Sequence, residues 1–331
     1  MFTKILLPLD GSALAEKAIP HAIEFARIFN SRINLLHVLP SEPNDEQTLH
    51  AEPLNWQLHK AKTERYMHDA ANRIRASLEI QETDDETDCG GRVSVIILEG
   101  KVAENIVDFA QDEEIDLLVI NTHGSSGLSR WNLNSVSMKV VSLIYKPVLI
   151  IRGYQLEETE PAEVSYKRIL LPIDCSRRAE CSLTAGSAIA EYYHAKVILA
   201  SVITPPEISA IDPYNQDLQA LNAQYLELSR KIVHHKMEEL LTRFDGNAEV
   251  RIIEAPHVYK AIVDLVNEEK IDLLIFCAHG QTGELTLPFG TTARTFVEYS
   301  PMPVLIVQDL SYQEVPPTAA SQARESTRSR F

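Results

Sequence analysis

A chain of 331 residues with 45% hydrophobic side chains is long enough for two domains of ordinary size, each burying its own core. Its 47 acidic against 31 basic side chains give a formal charge of -16, which disfavours nucleic acid and anionic membrane, since both call for a basic face. Four cysteines with no CxxC, no HExxH and no apolar run of roughly 18 residues leave no support for a zinc site, a disulfide framework or a membrane span. The expectation is a cytoplasmic protein with reduced thiols.

The chain opens on Lys4-Ile5-Leu6-Leu7-Pro8-Leu9-Asp10, an apolar strand too short for the core of a signal peptide. A helix leads to a second strand, Arg32 to Leu39. A long helix follows, with Leu54, Leu58, Ala61, Met67, Ala70, Ile74 and Leu78 on one stripe. The third strand, Arg92 to Leu98, gives way to a helix and then to the fourth, Asp116 to Thr122. A last helix, Ser137 to Tyr145, precedes a fifth strand, Pro147 to Arg152. These strands are near-continuous runs of Ile, Leu and Val, as expected where helices cover both faces of a sheet.

The pattern then repeats from Arg168-Ile169-Leu170-Leu171-Pro172-Ile173-Asp174. The offset is 164 residues at Lys4 and Arg168 and at Val38 and Val202, but 156 from Ile115 and Ile271 through Pro147 and Pro303. The first copy therefore carries eight extra residues, and its polar run Gln81 to Gly91 is an exposed loop suited to hold them. In the second long helix, Leu218, Leu221, Tyr225, Leu228 and Ile232 form the stripe expected to be buried. The domains read as residues 1–153 and 165–309, with an acidic linker at 154–164 and a tail at 310–331 whose composition predicts disorder.

Strands alternating with helices make a parallel sheet with right-handed crossovers. The fold class is α/β: two tandem Rossmann-like domains, each a five-stranded parallel sheet of order 3-2-1-4-5 flanked by helices. Strands one and four then lie side by side, and the chain after Leu9 meets the chain after Thr122 at the carboxyl edge, where such sheets hold ligands.

The loop after strand four carries the chemistry. It reads Cys277-Ala278-His279-Gly280, nine residues, then Gly290-Thr291 in copy two, and Asn121-Thr122-His123-Gly124, nine residues, then Asn134-Ser135 in copy one. Gly280 and Gly290 admit a ligand to backbone N–H groups and permit positive φ, and Asn134 tolerates a left-handed backbone. Thr291 and Ser135 stand where a helix begins, either as caps or as contacts to an anion held by the helix dipole. Asp10 and Asp174 end strand one, as caps, as hydrogen-bond partners of an adenine or ribose, or as both. Val38 and Val202 end strand two, either as core or with backbone N–H and C=O groups turned to a base edge.

His123 and His279 have no serine elbow, cysteine nucleophile or metal-ligand spacing beside them, so they read as loop-ordering residues, and no catalytic residue is named. An adenylyl-transferring ligase would need a serine-glycine-rich loop after strand one or a HisxGlyHis signature, and the chain has neither. Gly100-Lys101 lacks the upstream glycine and following hydroxyl of a Walker loop.

These motifs resemble the universal stress protein family in a tandem form. The family's nucleotide motif is Gly, two residues, Gly, nine residues, Gly, then Ser or Thr, and the first-strand Pro-x-Asp and the closing Lys146-Pro147-Val148-Leu149-Ile150 and Met302-Pro303-Val304-Leu305-Ile306 agree with it. The resemblance implies an adenine nucleotide, ATP with or without magnesium, between strands one and four with its phosphates on the glycine loop. Family members without the motif bind none. Asn121 and Cys277 replace the first glycine and are expected to crowd the phosphates, and copy two, which keeps Gly290, is the better candidate. The family's pairing through strand five implies that Val148 to Ile151 and Val304 to Val307 pair as an internal pseudo-dimer, with homodimerisation open. The implied function is an ATP-binding stress-response regulator or switch. The alternatives are a scaffold acting through protein contacts and a slow ATPase or self-phosphorylating protein.

Overall fold

The computed structural model describes residues 1–40, 53–79, 91–122, 136–152, 164–206, 215–244, 246–281 and 287–310. Residues 81–90 of the polar run, 153–163 around the linker and 311–331 of the tail lie outside them. The chain divides into two compact units, one built on residues 1–164 and one on residues 165–309.

Unit 1 runs β1 (Lys4–Pro8), α1 (Ala13–Glu16), α2 (Ala18–Phe29), β2 (Arg32–Leu39), α3 (Pro53–Ser77), β3 (Val93–Glu99), α4 (Val102–Asp112), β4 (Leu117–Asn121), α5 (Val136–Leu143) and β5 (Val148–Ile151). Unit 2 runs β6 (Arg168–Pro172), α6 (Cys181–Tyr193), β7 (Lys196–Ile203), α7 (Gln216–Leu241), β8 (Ala248–Glu254), α8 (Val258–Glu269), β9 (Leu273–Cys277), α9 (Thr291–Tyr299) and β10 (Val304–Val307). Every pairing within a unit is parallel. β1 lies between β2 and β4, β3 pairs with β2, and β5 pairs with β4. In unit 2, β6 lies between β7 and β9, with β8 and β10 outside them. Each sheet thus has the expected order 3-2-1-4-5.

Central strands are sealed on both faces: Ile5, Leu6 and Leu7, and their counterparts Ile169, Leu170 and Leu171, have no exposed surface. The turns that return helices to the sheet also repeat. Asn30 and His194 end α2 and α6 in the left-handed region, and Glu114 and Lys270 do so before β4 and β9. At the amino edge, Asp116 accepts from the Thr3 amide at 2.8 Å, the Lys4 amide at 3.0 Å and the Thr3 hydroxyl at 2.6 Å, fastening β1 to β4. Asp272 holds the Lys167 and Arg168 amides in the same way. Asp116→Ala is expected to lower unit 1 stability by about 1–3 kcal/mol, because it strands backbone donors. A urea melt followed by tryptophan emission measures this, and an unchanged midpoint would show the tie to be dispensable.

The stripe expected on the second long helix is not buried. Leu221, Tyr225, Leu228 and Ile232 are 53%, 47%, 58% and 59% exposed, while Met237 and Leu240 near the carboxyl end are sealed. In α3 the same division holds, with Leu58 and Ala61 exposed and Met67, Ala70 and Ile74 buried. The covered face is a different one: Leu226, Ser229 and Val233 of α7 are half-buried on the line that leads to Met237 and Leu240, and in α3 Trp56, Lys60 and Thr63 lie on the line that leads to Met67, Ala70 and Ile74. The ends of α3 and α7, Ser77 and Leu241, are still 164 residues apart, and the starts of β3 and β8, Val93 and Ala248, are 155 apart. The added residues of unit 1 therefore enter between Ser77 and Val93.

Candidate functional site

The carboxyl end of β6 turns through Asp174. Its Oδ1 accepts from the Ser176 amide at 3.0 Å, and the Ser176 hydroxyl accepts from the Ala179 amide at 3.1 Å. Unit 1 repeats this with Asp10, Ser12 and Ala15 at 2.9 and 3.1 Å, and Ser12 is the N-cap of α1. The serine therefore caps, and the aspartate makes the preceding Asx turn. The residue between them is left-handed, Gly11 with φ 80 and Cys175 with φ 62. A cysteine in that conformation costs roughly 1–2 kcal/mol. The position gave no sign of this in the sequence, because it is a glycine only in copy one.

The second oxygen of Asp174 reaches the loop after β9. Oδ2 accepts from the Gln281 amide at 2.7 Å, and Gln281 Nε2 donates to the Asp174 carbonyl at 2.7 Å. Gly280 lies directly against this carboxylate: a Cβ there would stand 2.2 Å from Asp174 Oδ2. Positive φ is not the reason for either glycine, since neither lies in the left-handed region and Gly290 has φ -67. Both are places of close approach, Gly290 to the Ala278 carbonyl, to which its amide donates at 2.8 Å. The Gly290 amide and the amide that follows Gly280, that of Gln281, are therefore engaged within the protein.

What is left of the expected anion site is the start of α9. Gly290 is its N-cap and offers no side-chain bond, so the amides of Thr291, Thr292 and Ala293 have no partner inside the helix. Thr291 and Thr292 are exposed, while Thr295 donates its hydroxyl to the Thr291 carbonyl at 2.9 Å.

Val38 and Val202 sit where strand one has turned away. Leu9 and Ile173 donate to the carbonyls of Leu36 and Ala200, whereas Gly100 and Ala255 donate to those of Leu39 and Ile203 on the opposite side. Strand alternation then turns the N–H and C=O of Val38 and Val202 toward the crevice beyond β1 and β6. The first motif position does not crowd it as expected. Asn121 Nδ2 donates to the Leu14 carbonyl at 2.6 Å, and Cys277 Sγ lies 3.0 Å from Cys181 Sγ, so both side chains are turned to the helix after strand one.

His279 is a buried strut. Nδ1 is 2.7 Å from Asp309 Oδ1 and Nε2 is 2.8 Å from the Leu287 carbonyl, so both ring nitrogens face acceptors. The Asp309 carboxylate holds the imidazole above its ordinary 6.5, against the opposing effect of burial. Arg178, on the loop before α6, stands 3.4 Å from the other oxygen of Asp309. The loop after β6, the loop after β9 and the end of β10 are thereby joined. Gln281, Asp309 and Arg178 were not singled out by the sequence reading. Gln281 lies inside the nine-residue spacer, and the counterpart of Asp309 at an offset of 156 is Gly153. In unit 1, His123, Gly124, Asn134 and Ser135 lie outside the described residues. Among the described residues, no group of three or more His, Cys, Asp or Glu is placed to hold a metal.

The profile of the universal stress protein family matches residues 1–152 and again residues 165–308. The chain belongs to the universal stress protein family. Universal stress protein MJ0531 of Methanocaldococcus jannaschii is 30% identical over 152 residues, covering 46% of this chain and 83% of its own length. Universal stress protein YxiE of Bacillus subtilis is 30% identical over 155 residues, covering 46% of this chain and its full length. Each alignment spans less than half of the tandem chain. A universal stress protein from Archaeoglobus fulgidus has the same fold, with a TM-score of 0.61 at 18% identity over 93% of this chain and 98% of its own. Among the described residues of this universal stress protein, no helix is long and apolar enough to cross a membrane.

Proposed function

We propose that unit 2 binds an adenine nucleotide between the ends of β6 and β9 and that occupancy switches the contact between Asp174 and Gln281. The observation that carries this is the start of α9: a glycine N-cap without a side-chain bond, three amides without a partner inside the helix and two exposed threonines. That arrangement suits phosphate. The backbone of Val202 suits a base edge, and Asp174 suits an amino or hydroxyl donor.

The residues also supply a switch. In the described state Asp174 Oδ2 is taken by the Gln281 amide. A ribose or adenine donor that claims this oxygen releases the Gln281 amide. ATP is the proposed nucleotide, and magnesium would enter with the phosphates.

Equilibrium titration of the full chain with ATP, beside Gly290→Val, tests the reading. The backbone of Gly290 is compatible with valine, but the side chain would press on the Ala278 carbonyl, 3.4 Å from its Cβ, and crowd the helix start. Parent binding with a loss of about tenfold or more in the variant, some 1.4 kcal/mol, is the expected result. Equal binding by both would remove the site from α9. No binding by either would favour a scaffold, in which the latched Asp174 is the resting and only state. Rapid product formation from ATP would overturn the switch in favour of an enzyme.

A further inference from the structure

Cys181, the first residue of α6, and Cys277, the last residue of β9, are 96 positions apart in the chain, yet their sulfurs are 3.0 Å apart. Both are free thiols. Cys277 is 8% exposed and Cys181 half-buried, so a small solute reaches Cys181 first. Cys181 Sγ is also 3.8 Å from the carbonyl of Val307, the register partner of Cys277 in β10. Two elements of unit 2 thus hold the thiols face to face, and a contraction of about 1 Å brings the sulfurs to bonding distance.

We infer that Cys181 and Cys277 are a peroxide-sensitive dithiol that closes reversibly into a disulfide. The Cys181 thiolate attacks one oxygen of hydrogen peroxide, the O–O bond breaks, and hydroxide leaves as water after taking up the thiol proton. The Cys181 sulfenic acid is then attacked by Cys277 Sγ. An S–S bond forms, the S–O bond breaks, and the departing hydroxide leaves as water with the Cys277 proton. In sum, two thiols and one peroxide give one disulfide and two waters, with both sulfurs oxidised and the peroxide oxygens reduced.

The neighbouring Cys181 and, after it, burial push the Cys277 thiol well up from its ordinary range. This keeps Cys277 protonated until Cys181 has been oxidised, and gives the two sulfurs distinct parts. Cys175 is a third thiol near strand six, but its hydroxyl neighbour is Ser201 rather than a second sulfur. Closure would bolt α6, which follows the Asp174 turn, to the strand end two residues before His279, fastening together the two walls of the unit 2 crevice. The bond does not depend on what that crevice binds, so this inference and the nucleotide reading fail separately.

The full chain, reduced and then treated with hydrogen peroxide under native conditions, is expected to lose the mass of two hydrogens and regain it with dithiothreitol. Non-reducing peptide mapping should join the Cys181 and Cys277 peptides. In Cys277→Ser, Cys181 should instead stop at the sulfenic acid and be trapped by dimedone, while Cys181→Ser should give no cross-link. The oxidised parent should also unfold at a higher urea concentration than the reduced one. Oxidation without this cross-link, a cross-link through Cys175 or Cys89, or dimedone trapping of the parent equal to that of Cys277→Ser would each overturn the assignment.

Discussion

Replacing His279 with alanine is expected to cost unit 2 about 3–5 kcal/mol, as removal of one partner of a buried ion pair does. The side chain is wholly buried, and so nearly is Asp309. Removing the cation leaves the carboxylate facing Arg178 at 3.4 Å and the Leu287 carbonyl without its donor.

The pH dependence has a definite sign. The folded imidazole titrates above its ordinary 6.5, so the fold binds the proton more tightly than the unfolded chain does. Its contribution is complete below about pH 6.5 and is lost as pH rises through the elevated folded value. Urea melts of the parent should thus weaken in unit 2 as pH rises above 6.5, and His279→Ala should remove this dependence. The two tryptophans, Trp56 and Trp131, both belong to unit 1. Their emission reports unit 1, while far-UV circular dichroism follows both units. A midpoint unchanged by His279→Ala, or a parent whose unit 2 gains stability as pH rises from 6.5, would refute the buried ion pair.

Gly280→Val should have the second-largest effect, because it acts on stability and binding together. A Cβ at 2.2 Å from Asp174 Oδ2 and 3.2 Å from Cγ cannot be accommodated while the carboxylate stays where it is. The aspartate must swing away, giving up the Gln281 amide and disturbing the Asx turn to Ser176. Overpacking of this kind costs about 1–3 kcal/mol. If Asp174 also contacts the nucleotide, losing that charge-assisted bond weakens ATP about tenfold to hundredfold.

A double-mutant cycle separates collision from general damage. Gly280→Ala combined with Asp174→Ala should be more stable than the sum of the single changes allows, since removing the carboxylate removes the obstacle. Strict additivity would mean that the two residues do not meet. Retention of full ATP affinity by Gly280→Val would detach Asp174 from the binding site.

Much of the architecture can be read from residue order because its cause is local and repeated. Runs such as Ile5-Leu6-Leu7 and Ile169-Leu170-Leu171 are apolar at consecutive positions, which only a strand covered on both faces tolerates. Alternation with helices, together with the handedness of crossovers, leaves few strand orders. Duplication then marks the same carboxyl edge twice. The start of a helix at Thr291 was equally legible, from a glycine at a fixed interval after the histidine loop.

Hydrophobic period did not reveal which face of α7 is covered, because apolar side chains lie on more than one of its faces and only packing against the sheet selects the line through Val233, Met237 and Leu240. Nor could composition tell why Gly280 and Gly290 are glycines. The answer is what each Cβ would strike, a carboxylate 107 positions away from the Gln281 amide it holds in one case and a nearby carbonyl in the other. Residue order determined the sheet, its repeat and the edge where function resides. Tertiary structure alone decided that Gln281 latches Asp174, that Asp309 holds His279 and that Cys181 faces Cys277. Such contacts join residues distant in sequence, and their energies depend on distances set only once the strands have paired.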